Sequence, residues 1–155
     1  MQVGLKNWPQ AIDCFVTCVA APATAVSAVA IEAYKKLVLV SLIVSGAKPS
    51  LPAYTANAVS RALKTSAATK IYDGLAAKFS EDNVAALGAE LTENQDALAA
   101  DKNLGLAKQA VAAFSQRRIQ RLTSCYMTLS LTDIATHAGL AEGAAAAEAE
   151  IVNMV

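Results

Sequence analysis

The stretch PATAVSAVAIEAYKKLVLVSLIVSGAKP, residues 22–49, decides the fold. Val26, Val29, Ala33, Leu37, Val40 and Val44 recur in it at spacings of three and four, the period of one helix face. Pro22 stands where a helix tolerates proline, in its opening turn, and Gly46 followed by Pro49 has the order found just past a helix end. The spacing predicts a helix opening at Pro22 and closing before Gly46, with Leu51 and Pro52 as an extended link.

Reading outward, the same punctuation recurs. Trp8 to Ala20 reads as an apolar-rich helix with Pro9 in its first turn. Asn57 to Ser66 and Ala67 to Phe79 read as shorter helices, the second weakened by Gly74. Ser80 is the expected N-cap of a helix reaching Gly88, and Thr92 with Gln95 has capping-box spacing within a helix from Leu91 to Ala99. Leu104, Ala107, Val111 and Phe114 share one face of a longer helix, which Ile119, Leu122, Cys125 and Tyr126 carry on. Tyr126 to Leu131 is the only strand candidate, and it is short. Consecutive helices of this length read as an all-α fold, an α-solenoid of helical hairpins.

Composition agrees. Of 155 residues 55% are hydrophobic, yet 35 are alanine and only 5% aromatic, so small side chains and close helix approaches must build the core. Thirteen Lys and Arg balance thirteen Asp and Glu. A net charge of zero argues against a phosphate backbone or an anionic membrane as partner. Cys14 to Ile31 carries no charge, but Thr17, Pro22, Thr24 and Ser27 interrupt it. It is read as two buried helices meeting near Pro22, not as a membrane span or a signal peptide. Three cysteines form no disulfide framework. Cys14 and Cys18 lie one helical turn apart and are expected as buried, reduced thiols; the alternative is a zinc site of Cys14, Cys18, Cys125 and His137, for which no short second ligand pair exists.

The last third changes character. Ser130 and Asp133 have capping-box spacing ahead of Ile134, Ala135 and His137, Gly139 and Leu140 make a turn, and Glu142 to Met154 forms a second helix. Helix, tight turn, helix is the outline of a winged-helix or helix-turn-helix module. No Lys or Arg follows Arg121, while Asp133, Glu142, Glu148 and Glu150 remain, so phosphate would repel the second helix. The module faces protein. Arg117, Arg118 and Arg121, with Lys108 before them, are either a solvated helix face or a patch for an acidic partner, and they are the candidate partner-binding residues.

Catalytic constellations are thin. Asp133 lies one turn before His137, the lone histidine, but Ser130 is too close in sequence to serve as its nucleophile. Glu81 and Asp82 sit where a helix start already favours carboxylates. Gly4, Gly46, Gly74, Gly88, Gly105, Gly139 and Gly143 are scattered and build no phosphate loop. Neither a catalytic site nor a cofactor is expected.

Three blocks then carry a resemblance. EAYKKLVLVSLI (residues 32–43) is followed by Gly46 and the Leu51-Pro52 link; DKNLGLAKQ (101–109) is the second block; IQRLT (119–123) with YMTLSLTDIA (126–135) is the third. In this order they resemble the third-subunit family of the COP-nine signalosome, the complex that removes a ubiquitin-like modifier from cullins. That family is a branch of the PCI-domain proteins. The resemblance implies helical repeats running into a winged helix: residues 1–21 a remnant of a preceding repeat, 22–100 the repeat part, and 101–155 a winged helix without its wing strands. It also implies a non-catalytic scaffold, bound to other signalosome subunits and through them to cullin-based ubiquitin ligases, in nucleus and cytoplasm, with no nucleic acid or membrane as partner. Catalysis in such a complex belongs to a zinc metalloprotease subunit. Family members are several hundred residues long, so the chain is expected to be a fragment with apolar surface exposed at both ends and no wing edge for β-augmentation. Two alternatives remain open: a PCI subunit of another complex such as the proteasome lid, or a small helical enzyme or zinc-binding domain.

Overall fold

The computed structural model describes residues 3–22, 26–81, 83–125, 130–138 and 143–154. Those residues form helices and turns, with no strand among them: α1 (Trp8–Ala20), α2 (Ala28–Val44), α3 (Asn57–Thr65), α4 (Ala67–Ser80), α5 (Val84–Glu93), α6 (Gln95–Ala100), α7 (Leu104–Cys125), α8 (Leu131–Ala138) and α9 (Ala144–Met154). The all-α, solenoid-like expectation holds.

α2 is the axis of the fold. α1 packs along one side of it, while α4 and α7 pack against the other. This placement explains its composition, because a helix apolar all round must be enclosed all round. Leu37, Val38, Leu39, Val40 and Leu42 are each at most 1% exposed. The expected stripe of threes and fours fails at its ends, where Val29 is 69% and Val44 40% exposed. Periodicity marked a face, whereas the neighbours cover the middle of the helix and leave its ends open.

Around α2 a single core gathers Val19 of α1, Leu39 and Leu42 of α2, Val59 and Leu63 of α3, Tyr72 and Leu75 of α4, Leu87 of α5, Leu98 of α6, and Ala107 and Phe114 of α7. A fully buried side chain of this size contributes about 1.5–3 kcal/mol. A second, smaller core joins Ile119 of α7 to Ile134 and Ala135 of α8 and Ala147 of α9, with Ile151 and Met154 against it. α7, at 22 residues, is long enough to serve both: its first half lies in one core and its second half in the other.

Several boundaries move from their expected places, and each shift has a local cause. α2 starts at Ala28, because the Ser27 side chain accepts a hydrogen bond from Ala30 N at 3.1 Å and caps it there; residues 23–25, part of the expected first turns, lie outside the described residues. Ser80 ends α4 rather than capping the next helix, and Asn83 takes that role, with Oδ1 accepting from Ala86 N at 3.1 Å. α5 continues through Leu91 to Glu93, so Thr92 sits inside a helix and donates its hydroxyl to Gly88 O at 2.9 Å instead of capping one. The break falls at Asn94, whose Nδ2 donates to Glu90 O at 2.9 Å. α7 runs unbroken to Cys125 as expected, while the strand candidate from Tyr126 falls largely, and the Gly139-Leu140 turn wholly, outside the described residues. The Ser130 cap is present: its Oγ accepts from Asp133 N at 3.2 Å and meets Asp133 Oδ2 at 2.6 Å.

The cysteines correct another expectation. Cys14 and Cys18 do share one face of α1, but that face is exposed, since α1 turns Ala11 and Val19 inward instead. His137 is exposed on α8. Among the described residues no three His, Cys, Asp or Glu side chains gather as a metal site, and no helix is long and apolar enough to cross a membrane.

Candidate docking surface

Two features position the chemistry of this chain: a polar knot that fixes the helices, and an arginine cluster that the knot's helices frame.

The knot starts from an anomaly in the sequence, a lysine inside an otherwise apolar helix. Lys35 is only 5% exposed, and a buried ammonium is tolerated only when it is paired and hydrogen-bonded. Its Nζ meets Glu32 Oε1 at 2.8 Å along α2 and Asp101 Oδ1 at 2.9 Å on the turn after α6. Asp101 Oδ2 accepts the Tyr72 hydroxyl at 2.7 Å, and Tyr72 Oη in turn accepts from Asn103 Nδ2 at 3.0 Å. Lys102, between the two loop residues, takes a left-handed φ of 58° that turns both neighbours inward. Thus the first and second sequence blocks, EAYKK and DKN, meet in space through the Lys35–Asp101 pair, and Tyr72 of α4 bonds to Asp101 and Asn103 of the second block. A smaller tie lies nearby: Asp73 Oδ1 accepts from Tyr34 Oη at 3.0 Å and from Lys48 Nζ at 2.9 Å.

These contacts shift the titrations. Burial pushes the Asp101 carboxyl up, but hydrogen bonds from Lys35 and Tyr72 and the charges of Lys35 and Lys36 outweigh it and hold the group below its ordinary 3.8. Burial pulls Lys35 down, yet its bonds and charge pairs with Glu32 and Asp101 hold it above 10.5. Because the folded Asp101 value lies below the unfolded one, its contribution is complete above pH 3.8 and is lost as pH falls through the folded value. Lys35 behaves in the opposite sense, contributing below pH 10.5 and losing that contribution as pH rises through its folded value. Thermal unfolding should therefore show a midpoint that drops on acidification below pH 3.8, and Asp101→Asn should flatten that drop. An equally steep acid limb in the variant would remove Asp101 from the account.

The arginine cluster stands on α7, one face further round. Phe114 is buried and meets Phe79 of α4 edge to face, with ring centroids 4.7 Å apart. Arg118 lies over the Phe114 ring, its guanidinium carbon 5.9 Å from the centroid. Arg117 is half-buried and reaches the end of α2, where Nη2 donates to Ile43 O at 3.1 Å and also to Val44 O. It caps the negative end of a helix dipole with a cation from 74 residues away. Arg121 is exposed. The reading of these residues as one solvated face is thus corrected: Arg117 and Arg118 pack down on the core, and Arg121 alone of the three is exposed.

Gly46 makes this possible. Its φ of 70° ends α2, with its N–H donating to Ser41 O at 3.2 Å and Leu42 O at 3.1 Å. A Cβ there would stand 2.6 Å from Arg117 Nη1. Gly46→Ala should cost about 1–2 kcal/mol from backbone strain alone and displace Arg117 as well. In a double-mutant cycle, Arg117→Ala should cost less in the Gly46→Ala background than in the native chain; full additivity in denaturant unfolding would show that the two do not share this contact.

Between the ends of α2 and α4 and the middle of α7 the three arginines border a hollow of about 220 Å³, floored by Phe79 and Phe114. The sequence singled out Arg117, Arg118 and Arg121, and the structure brings all three to this hollow. It missed Lys35, Tyr72, Asp101 and Asn103 as a set. The available signal was the charge of Lys35 in an apolar run, which demands a partner but does not name one.

Comparison with known proteins locates the chain. A family model described as the N-terminal helical repeats of COP9 signalosome complex subunit 3 matches residues 1–59, which hold α1, α2 and the start of α3. Two similar proteins, both named COP9 signalosome complex subunit 3, come from Drosophila melanogaster and Arabidopsis thaliana. The chain is 37% identical to the first over 97% of its own length and 33% of the fly protein. It is 38% identical to the second over 99% of its own length and 35% of the plant protein. The chain spans about a third of the length of the curated relatives it matches.

Proposed function

Because this chain is a relative of COP9 signalosome complex subunit 3 over nearly its whole length, we propose that it works as a non-catalytic scaffold segment of that complex. In this reading it assembles with other signalosome subunits and through them supports removal of the modifier from cullins and regulation of cullin-based ubiquitin ligases. Its place of work is the nucleus and cytoplasm, its partners are proteins rather than nucleic acid or membrane, and α8 and α9 belong to a winged-helix module at the end of a helical repeat.

One observation carries the reading: 97–99% of this chain aligns with proteins so named from an animal and a plant. The geometry is in keeping with it. Polar groups with catalytic potential are committed to holding helices together, as in the Lys35, Asp101 and Tyr72 knot. Arg117, Arg118 and Arg121 are the candidate docking residues in this reading.

Affinity capture of the tagged chain from cell extract, read by mass spectrometry, tests the proposal. Signalosome subunits should be recovered. Recovery of proteasome-lid subunits in their place would overturn the assignment within its class. A folded helical chain that binds stoichiometric zinc with protected thiols would overturn the non-catalytic scaffold reading itself.

A further inference from the structure

A second hollow, of about 260 Å³, opens between the link that follows α2 and helix α3. We infer that it is a docking surface for an acidic segment of a partner protein: one apolar side chain enters the hollow while the carboxylates beside it meet Arg61 and Lys64. The inference goes beyond the scaffold reading, since it holds for whichever complex the chain joins.

Charge gives the first argument. From residue 33 to residue 72 the sequence places six cations, Lys35, Lys36, Lys48, Arg61, Lys64 and Lys70, and no Asp or Glu, and every residue of that stretch is described. In a chain whose formal charges cancel, positive charge is collected here. Three of the six are occupied, Lys35 and Lys36 with Glu32 and Lys48 with Asp73. Among the described residues no carboxylate lies within ion-pair distance of Arg61 or Lys64. Both are exposed on α3, three residues apart and so on neighbouring positions of one side of the helix. Lys64 also lines the hollow itself.

The lining gives the second. Pro49 and Leu51 from the link and Leu63 from α3 supply hydrocarbon, while Ser50, Ser60 and Lys64 supply polar groups. A volume of about 260 Å³ lies below the range of pockets that hold whole cofactors, but it admits one Leu or Phe side chain. The walls are also fixed in advance. Tyr34 of α2 and Lys48 of the link both line the hollow, and both are tied to Asp73 of α4, at 3.0 and 2.9 Å. Little ordering is left to oppose binding.

The third argument separates a protein partner from a nucleic acid. Tyr54, three residues after Leu51, is 74% exposed. It is displayed on a tied turn, where Thr55 N donates to Pro52 O at 3.0 Å and Thr55 is buried. A large amphipathic ring held in this way suits a protein interface, where tyrosines are enriched among the dominant contacts. A bound single strand needs several stacking rings along a basic groove, and among the described residues Tyr54 is the single aromatic side chain so exposed.

The test is a titration of the full isotope-labelled chain followed by NMR, reading the amides of Ser50, Leu51, Tyr54, Ser60 and Lys64 and the Nε–Hε signal of Arg61. The probe is an acetylated and amidated peptide, Glu-Asp-Leu-Glu-Asp. The same peptide with Gly in place of Leu, a Lys-Lys-Leu-Lys-Lys peptide and an oligothymidylate serve as comparisons. Saturable shifts centred on these groups are expected with the acidic Leu peptide, and the Gly version should bind about tenfold more weakly. Arg61→Glu and Lys64→Glu should each weaken binding about fivefold or more. Lys64 stands in the last turn of α3, where a cation favours the helix, so Lys64→Gln keeps the test decisive if the charge reversal disturbs folding. No saturable shift, shifts centred on other helices, equal binding by the Gly or the Lys peptide, tighter binding by the oligothymidylate, or binding that survives these substitutions would overturn the inference.

Discussion

Asp101→Ala is expected to lower the unfolding free energy by about 3 kcal/mol, among the largest effects of any single polar substitution in this chain. The cost arises less from the bond removed than from the ammonium left behind. Lys35 is 5% exposed, and it keeps only Glu32 as a charge partner once Asp101 is gone. Tyr72 loses the acceptor for its hydroxyl in the same step. Retaining Glu32 places the expected loss at the lower end of the range for a broken buried pair. Lys35→Met makes the converse change: it removes the buried charge, keeps the apolar stem and leaves Asp101 bonded to Tyr72 and reachable by solvent, for an expected loss of about 1 kcal/mol. Denaturant unfolding of both variants measures the asymmetry. If Lys35→Met proves the more damaging of the two, the knot is not held as described.

Leu39→Ala should cost about 3 kcal/mol, while Val29→Ala on the same helix should cost less than about 0.5 kcal/mol. Leu39 is 1% exposed and lies in the core with Leu42, Leu75 and Leu87, so its truncation leaves a void that α4, α5 and α7 cannot all close. Val29 is 69% exposed despite standing on the three-and-four stripe that the sequence marks as the buried face. The pair therefore separates two explanations of α2. Were amphipathic periodicity the cause of its burial, Val29 would matter and Leu39 would not; with enclosure by α1, α4 and α7 as the cause, the order is reversed. Similar losses at both positions would count against enclosure.

The helices that were legible in the sequence are those whose limits depend on neighbours a few residues away. Gly46 ends α2 because only its own φ and the carbonyls of Ser41 and Leu42 are involved. Ser130 begins α8 through a bond to the amide three residues on. Where two candidate caps compete, spacing alone does not choose. Ser80 and Asn83 both qualify at the start of α5, and the observed register gives Ser80 to α4 and the cap to Asn83. Thr92 has the spacing of a cap too, yet α5 simply continues through it.

The candidate site divides in the same way. Its residue types were readable, since three arginines within five positions on a helix announce a charged cluster. Their roles were not. Nothing near Arg117 in sequence indicates that it closes the end of a helix 74 residues away, or that a glycine there must leave room for it. Cys14 and Cys18 were placed together on α1 correctly, but whether that face is covered depends on which side α2 occupies.

The sequence by itself determined that this chain is helical, where most of its helices end, and which family it resembles, because hydrophobic period, caps and breakers act over three or four residues and motifs are read in one dimension. Tertiary structure alone decided that Lys35 and Tyr72 both meet Asp101, that Arg117 is a cap rather than a free cation, and that the middle of α2 is enclosed while its ends are open. Those outcomes depend on which helices lie side by side. That arrangement is set by the summed packing of many small side chains, and no single residue specifies it.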